Sequence, residues 1–525
     1  MSFSIVVDHV SYAWPDGTEV IKNLDVAFGG GRTGLIGVNG SGKSTLLRII
    51  AGELRPRTGS VSVLGEVGYL PQDLPLGAGR TVSDLLGITA TRAALHAIEG
   101  GDVAEEHFTT VGDDWDVEER ARAELDRLGL TDVGLDRTVA TLSGGESVMV
   151  GLAALFLRRP DVILLDEPTN NLDLDARRRL YAAVSSWPGV MVVVSHDREL
   201  LDRVDQIADL RDGEVRGYGG NLSAYEEVLD AEREAAERMV RSAEGDVRRQ
   251  RRELVEARTK LDRRVRYGDK MYATKREPKI VMQERKRQAQ VSAGKHRTMH
   301  EEKLEEARDR LTEAEQAVRT DAEIRVDLPE TEVPAGRTVL TYPLPAEAGE
   351  FVVRGPERIA VRGPNGSGKT TLLRRIAGEL ESAARVRVPV RYLPQRLDVL
   401  DDALSVLDNV RALAPAASVN EVRATLARFL FRGARVEQPV GTLSGGERFR
   451  ATLAALLSAR PAPQLLLLDE PTNNLDLASV RQLTQALNAY RGALVVVSHD
   501  EPFLRELGIT RWGRVDRDSG LTASD

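Results

Sequence analysis

GVNGSGKST at residues 37–45 returns at residues 363–371 as GPNGSGKTT, and the reading of this pair decides the fold. Around each copy the same words follow in the same order. YLPQ stands at 69 and 392, TLSGGE at 141 and 442, LLDEPTNNLDL at 164 and 467, and VVVSHD at 192 and 495. Five shared elements in one order make the chain a tandem duplication with an insert between the copies. GxxxxGK[ST] is a phosphate loop, whose glycines let the backbone curl so that successive N–H groups point at phosphates. In the first copy it comprises Gly37, Asn39, Gly40, Ser41, Gly42, Lys43, Ser44 and Thr45. In the second it comprises Gly363, Asn365, Gly366, Ser367, Gly368, Lys369, Thr370 and Thr371.

The spacing assigns chemistry to each copy. Lys43 and Lys369 are placed to reach β- and γ-phosphates, and the next hydroxyl, Ser44 or Thr370, to ligate Mg²⁺. VILLD at 162–166 and LLLLD at 465–469 read as buried parallel strands, each ending on an aspartate where a metal-associated carboxylate is needed, Asp166 or Asp469. The acid that follows, Glu167 or Glu470, is placed to orient or deprotonate an attacking water. A Gly-rich turn alone is often only a turn, but here all parts occur twice.

Composition bounds what such a chain does. At 525 residues it is long enough for about three domains. It has 42% hydrophobic and 29% charged residues and no cysteine, so disulfides and thiolate metal sites are ruled out. Its apolar runs are too short to read as membrane-spanning, and MSFSIVVDHV does not read as a secretory signal. A cytoplasmic location is the expectation. The net charge of −9 hides an asymmetry: residues 258–297 carry fourteen Lys/Arg against four Asp/Glu.

That basic stretch lies in the insert. From 223 to about 320 the pattern becomes helical, with Val240, Val247, Leu254 and Leu261 seven apart, and likewise Leu304, Leu311 and Val318. Gly268 and Pro278 fall at the centre, which predicts an antiparallel helical hairpin with arms on the order of 60 Å at about 1.5 Å per residue. Its tip reads RVRYGDKMYATKREPK at 264–279. A charged heptad hairpin is often a plain spacer with a solvated face. Against that, Arg264, Arg266, Lys270, Lys275, Arg276 and Lys279 suit phosphates, and Tyr267 and Tyr272 offer faces for stacking on unpaired bases, so the tip points to RNA.

LSGGE beside a phosphate loop and a D-E strand resembles the ATP-binding cassette family. The resemblance implies an α/β fold of two tandem phosphate-loop cassettes, facing head to tail within one monomer, that bind ATP and Mg²⁺ and hydrolyse ATP. Ser143, Gly144 and Gly145, and Ser444, Gly445 and Gly446, resemble the signature that grips the γ-phosphate across the interface, so that Lys43 would share a site with Ser444 and Lys369 with Ser143. Gln72 and Gln395 resemble the glutamine near Mg²⁺ and water, His196 and His499 the switch histidine, and Asn171–Leu172–Asp173 and Asn474–Leu475–Asp476 the loop after the catalytic strand. Tyr12, upstream of the first phosphate loop, is the candidate for stacking on adenine, with a core tyrosine as the alternative; in the second copy Tyr342 is the weaker counterpart. The first signature continues as ESVMV and the second as ERFRA, which points to unequal sites.

The whole layout resembles the F-type subfamily: a first cassette over 1–222, a helical linker over 223–320 and a second cassette over 321–525. The resemblance implies a ribosome-associated ATPase that enters the tRNA exit site, with its linker directed at P-site tRNA and the peptidyl-transferase centre. Such a protein regulates translation or dislodges ribosome-targeting antibiotics, with no membrane and no permease as partner. The interval from Gln72 to Ser143 exceeds its counterpart by 22 residues, with the excess near 89–116, either a short ribosome-contacting arm or a loop. The rival readings are the ATPase component of an exporter and a DNA-associated cassette ATPase. Missing cysteine zinc modules weigh against the second.

Overall fold

The computed structural model describes residues 4–72, 79–170, 172–273, 287, 298–315, 324, 326–344, 349–396, 398–473, 475–516 and 520–524, with only the backbone at some helical positions near 261–273. Met1–Ser223 and Ala322–Asp525 together make one compact unit, and Ala224–Asp321 a second.

The duplication is plain in the first unit. Among the described residues each cassette has a six-stranded sheet built in the same order. In the first cassette the strands run Val67–Leu70, Val162–Asp166, Val190–Val194, Arg32–Gly37, Gln206–Arg211 and Glu214–Gly219. The first four pairings are parallel and the last antiparallel. The second repeats this with Val390–Leu393, Leu465–Asp469, Ala493–Val497, Arg358–Arg362, Arg511–Asp516 and Gly520–Ser524. VILLD and LLLLD are buried at every position. Covered on both faces, a strand has no outward side to carry polar residues, which is why these runs show no alternation. A separate three-stranded antiparallel sheet packs in each cassette, with Ile5–Ala13 or Thr338–Pro343 in the middle.

The parallel strands bring the motifs to one edge. Helix Lys43–Ile50 follows strand Arg32–Gly37, and helix Lys369–Ala377 follows strand Arg358–Arg362, with the phosphate loop between. The strands that carry YLPQ, DEPT and SHD end beside them, so these words lie at the carboxyl ends, where open α/β sheets bind ligands. Gly37 and Gly363 have φ of +154° and +157°. A Cβ there would collide with the carbonyl oxygen of Leu210 or Val515, so only glycine fits.

In the second unit, helix Leu222–Ala273 runs 52 residues, and residues 298–315 are helical. Leu254 and Leu304 are buried, and Arg258 Nη2 meets Glu301 Oε1 at 3.0 Å, an antiparallel pairing of the two arms. The seam of the second arm also takes Ala307 and Ala314, which a search for large apolar residues passes over. With Leu304 and Leu311 they give the alternating three-four spacing of a two-helix seam. Val318 lies outside the described residues. The 89–116 segment forms helices Thr89–Glu99 and Glu105–Val111, with Phe108 and Trp115 exposed and their ring centroids 6.1 Å apart.

Candidate nucleotide sites

In each copy the lysine is folded back onto its own loop. Lys43 Nζ donates to the carbonyls of Gly37 at 2.8 Å and Val38 at 3.2 Å; Lys369 Nζ donates to Gly363 at 2.6 Å and Pro364 at 3.1 Å. Both lysines are buried, and burial lowers their pKa while nearby carboxylates oppose it. Ser44 Oγ donates to Asp166 Oδ1 at 3.0 Å, and the Thr370 hydroxyl bonds Asp469. The other carboxylate oxygen accepts from the phenol of the repeated YLPQ word: Tyr69 to Asp166 Oδ2 at 3.4 Å and Tyr392 to Asp469 Oδ2 at 3.1 Å.

Glu167 and Glu470 leave their strands in the left-handed region, with φ of +48° and +46°, and their N–H groups donate to Val194 and Val497 at 2.8 Å. Such a φ is strained for a residue with a side chain, and its recurrence in both copies marks a place where geometry overrides local preference. Each glutamate lies beside the switch histidine: His196 Nε2 is 3.3 Å from Glu167 Oε1, and His499 Nε2 is 3.4 Å from Glu470 Oε1. Burial raises the pKa of Glu167, and it pushes Glu470 up to about 7. The same burial lowers both histidines, His499 to about 3, so the imidazoles are neutral.

The signature serines cap helices. Ser143 and Ser444 are the N-caps of Gly144–Arg158 and Gly445–Leu457, and each closes a capping box with the glutamate of LSGGE, Glu146 or Glu447. That glutamate therefore has a structural reason to be in the motif. Both serines are exposed at the N-termini of long helices, where N–H groups favour an anion. The aspartates of NLD and SHD do similar work: Asp173, Asp476, Asp197 and Asp500 each cap the helix that follows.

A cavity of about 400 Å³ opens over the first phosphate loop, lined by Gly40, Lys43, Ser44, Gln72, Glu167 and His196 among others. Its aromatic wall is Trp14. Tyr12, the sequence candidate, does not line it; that ring packs on the cassette core and meets Trp14 edge-on at 5.3 Å. The packing of Tyr12 supports the core alternative that the sequence left open. Tyr342 likewise packs on the core of its cassette. The first cavity is lined by the first cassette alone, without Ser444. What crosses is Asp476, whose Oδ2 accepts from the Asn39 N–H at 3.1 Å. In the second cassette a cavity of about 390 Å³ gathers Gln395, Gly445 and Glu470, without Lys369 or Ser143.

Two buried hydroxyls in the phosphate loops, Ser41 Oγ and Ser367 Oγ, have no hydrogen-bond partner among the described residues, beside lysines that bond loop carbonyls and, at Lys369, also His499 Nε2 at 3.3 Å. This donor set fits a polyphosphate. The Ser44–Asp166 and Thr370–Asp469 pairs are hard oxygen ligands of the kind Mg²⁺ takes. Of the linker positions, Arg266 and Lys270 are exposed on the long helix. The side chains of Arg264, Tyr267 and Tyr272, and all of Lys275, Arg276 and Lys279, lie outside the described residues.

Fold and sites together define a tandem phosphate-loop ATPase. The ABC transporter family model matches residues 22–170 and 350–473. The chain is 35% identical to the tylosin resistance ATP-binding protein TlrC of Streptomyces fradiae, over 92% of each chain. It is 31% identical to the energy-dependent translational throttle protein EttA of Mycobacterium tuberculosis, over 90% of this chain and 85% of EttA. With ABC transporter F family member 2 of Arabidopsis thaliana it shares 29% identity, over 99% of this chain and 77% of that one. The chain belongs to the ATP-binding cassette family, in its F-type branch, and is an ATPase. No helix among the described residues is long and apolar enough to cross a membrane.

Proposed function

We propose that this chain is a ribosome-associated ATPase in which cassette closure and reopening insert and release the linker's basic segment near P-site tRNA and the peptidyl-transferase centre. The observation that carries this reading is the pairing of two complete catalytic sets in one compact unit with a separate helical unit whose sequence holds the basic run. Likeness to a tylosin resistance protein along nearly the full length of both chains favours ribosome protection against an antibiotic; likeness to EttA keeps a role in translation itself as the second reading. The cassettes are assigned to 1–222 and 321–525 and the linker to 223–320, with 89–116 either a short arm on the ribosome or a loop.

In this mechanism Trp14 stacks on adenine, while the phosphate-loop N–H groups, Lys43 and Lys369 hold the phosphates. Ser44, Asp166 and Gln72, and Thr370, Asp469 and Gln395, would hold Mg²⁺, which would supply positive charge against the phosphates. Glu167 and Glu470 accept a proton from the attacking water, and His196 and His499 orient them. Ser143 and Ser444, at exposed helix N-termini, bind the γ-phosphate from the opposite cassette when the cassettes close. ATP binding then suffices for docking and hydrolysis serves release.

The test is co-sedimentation of the Glu167→Gln/Glu470→Gln variant with ribosomes in ATP, against wild type and against ADP. Retention of the variant in ATP is the expected outcome, and its translation block should be lost when Tyr267, Tyr272, Lys275, Arg276 and Lys279 become alanine. Equal ribosome occupancy by wild type and variant in ATP overturns the scheme.

A further inference from the structure

The linker leaves the cassettes at one helix and rejoins them at another, and both helices start at the first nucleotide site. They meet at Asn39 of the first phosphate loop. Its Oδ1 lies 3.2 Å from His196 Nε2, and its N–H donates to Asp476 Oδ2 at 3.1 Å. Directly after His196, Asp197 caps the short helix Arg198–Leu201, and Asp202 closes its other end. Asp202 Oδ1 accepts from both the N–H and the hydroxyl of Ser223 at 2.9 Å, and its carbonyl accepts from Asn221 Nδ2 at 3.3 Å. Ser223 is the second residue of helix Leu222–Ala273 and still belongs to the first unit. A carboxylate carried by the switch segment therefore holds the start of the linker's long arm, where unpaired N–H groups and the helix dipole favour an anion.

The return is anchored in the same way. Asp476 caps helix Leu477–Ala489, its Oδ1 accepting from the Ser479 N–H at 2.8 Å. Farther along that helix, Gln485 Oε1 accepts from the Ile324 N–H at 3.0 Å. Just past its end, Arg491 Nη2 donates to Asp327 Oδ1 at 2.7 Å, the Arg491 N–H donates to Thr331 Oγ1 at 3.1 Å, and Tyr490 makes a parallel bridge with Leu328. The chain coming back from the linker is thus stitched to the helix that Asp476 begins.

The duplicate positions cannot make these ties. Arg505 stands where Asp202 does and offers no acceptor, and Ala182 stands where Gln485 does and has no polar side chain. Glu506 of the second cassette does reach the short switch helix, through Arg198 Nη1 at 2.5 Å, but that pair is open to solvent at Glu506 and screened accordingly. At about 1.5 Å per residue the long arm spans about 78 Å, so a turn of about 5° at its root displaces its far end by about 7 Å.

We propose that Asp202 and Gln485 are positioning residues that couple the hairpin to the first ATP site, so that ATP at Lys43 sets the hairpin's angle and ATP at Lys369 does not. The proposal rests on the reading that ATP closes the cassettes.

The chain has no cysteine, so Leu64→Cys and Val255→Cys, both at exposed positions, place one dye on the first cassette and one on the long arm of the full-length protein. In the Glu167→Gln/Glu470→Gln protein without ribosomes, ATP should shift energy transfer between the dyes relative to ADP. Lys43→Ala should abolish the shift, and Lys369→Ala should leave more than about half of it. Asp202→Ala with Gln485→Ala should cut the shift to less than about half, while changing ATPase activity of the otherwise wild-type chain less than about twofold. Asp202→Asn with Gln485→Glu, which keeps an acceptor at each root, should retain most of the shift. A shift that survives the double alanine variant in full, that is lost as much in Lys369→Ala as in Lys43→Ala, or that the conservative pair fails to retain would overturn the proposal and leave closure standing. No ATP-driven shift in the parent would overturn closure and the proposal together.

Discussion

Trp14 and Tyr12 stand two residues apart on or beside one strand, yet only Trp14 lines the nucleotide cavity. Stacking of a base on an aromatic ring is worth about 1–3 kcal/mol, so Trp14→Ala should weaken ATP binding at the first site roughly 5- to 100-fold, with kcat largely kept. Tyr12→Ala should instead lower the melting temperature and leave ATP affinity nearly unchanged. Titration with a fluorescent ATP analogue in the Glu167→Gln background separates them; a larger affinity loss in Tyr12→Ala would return that role to Tyr12. Tyr69 and Tyr392 show a second residue-scale effect. Their hydroxyls hold the free oxygen of Asp166 and Asp469, so Tyr69→Phe and Tyr392→Phe should each cost about 0.5–1.5 kcal/mol of stability and raise the Mg²⁺ needed for half-maximal turnover. An unchanged Mg²⁺ requirement would reduce both to core residues.

Helix caps carry much of the sequence's repeated wording at the scale of the element. TLSGGE, NLD and SHD all contain N-caps, so helix initiation by itself accounts for part of the repeated wording. Asp500 caps its helix at a cost. Burial pushes it up to about 6 from the ordinary carboxylate value of 3.8, and the charge of Asp197 adds to this, while the Phe503 N–H, Arg177 and Arg198 pull it down. Its folded pKa lies above its unfolded one, so the native state binds the extra proton between about pH 4 and pH 6 and pays for ionisation above that window. Asp500→Asn keeps the cap and removes the charge. The variant should be more stable than wild type by about 2–3 kcal/mol at pH 7.5, and this gap should close as pH falls through 6 toward 4. Thermal melts of both proteins across that range decide it; a gap that does not change with pH would show that the buried charge is not its source.

For the whole molecule, what matters is that one unit carries both candidate nucleotide sites and another carries the basic run. If the tip binds RNA through phosphates, each lost contact lowers the slope of log affinity against log salt by about 0.7–0.9. Replacing Lys275, Arg276 and Lys279 by alanine should therefore reduce the salt slope for ribosome binding of the Glu167→Gln/Glu470→Gln variant by about 2–3. A slope that stays the same would leave the linker as a spacer.

Both sheets, the two phosphate loops and the paired helical arms were legible in the chain because each is a local pattern: a word of fixed spacing, an unbroken apolar run, a heptad. The alanine half of the seam at Ala307 and Ala314 was not, since a small residue gives no hydropathy signal until a partner helix covers it. Nor was the packing of Tyr12 on the core while Trp14 lines the cavity, or the left-handed backbone at Glu167 and Glu470. Repetition within one chain determined that there are two engines. Which side chain of one engine reaches the other was decided only by folding, because burial and charge act between residues hundreds of positions apart, as Arg198 and Glu506 do.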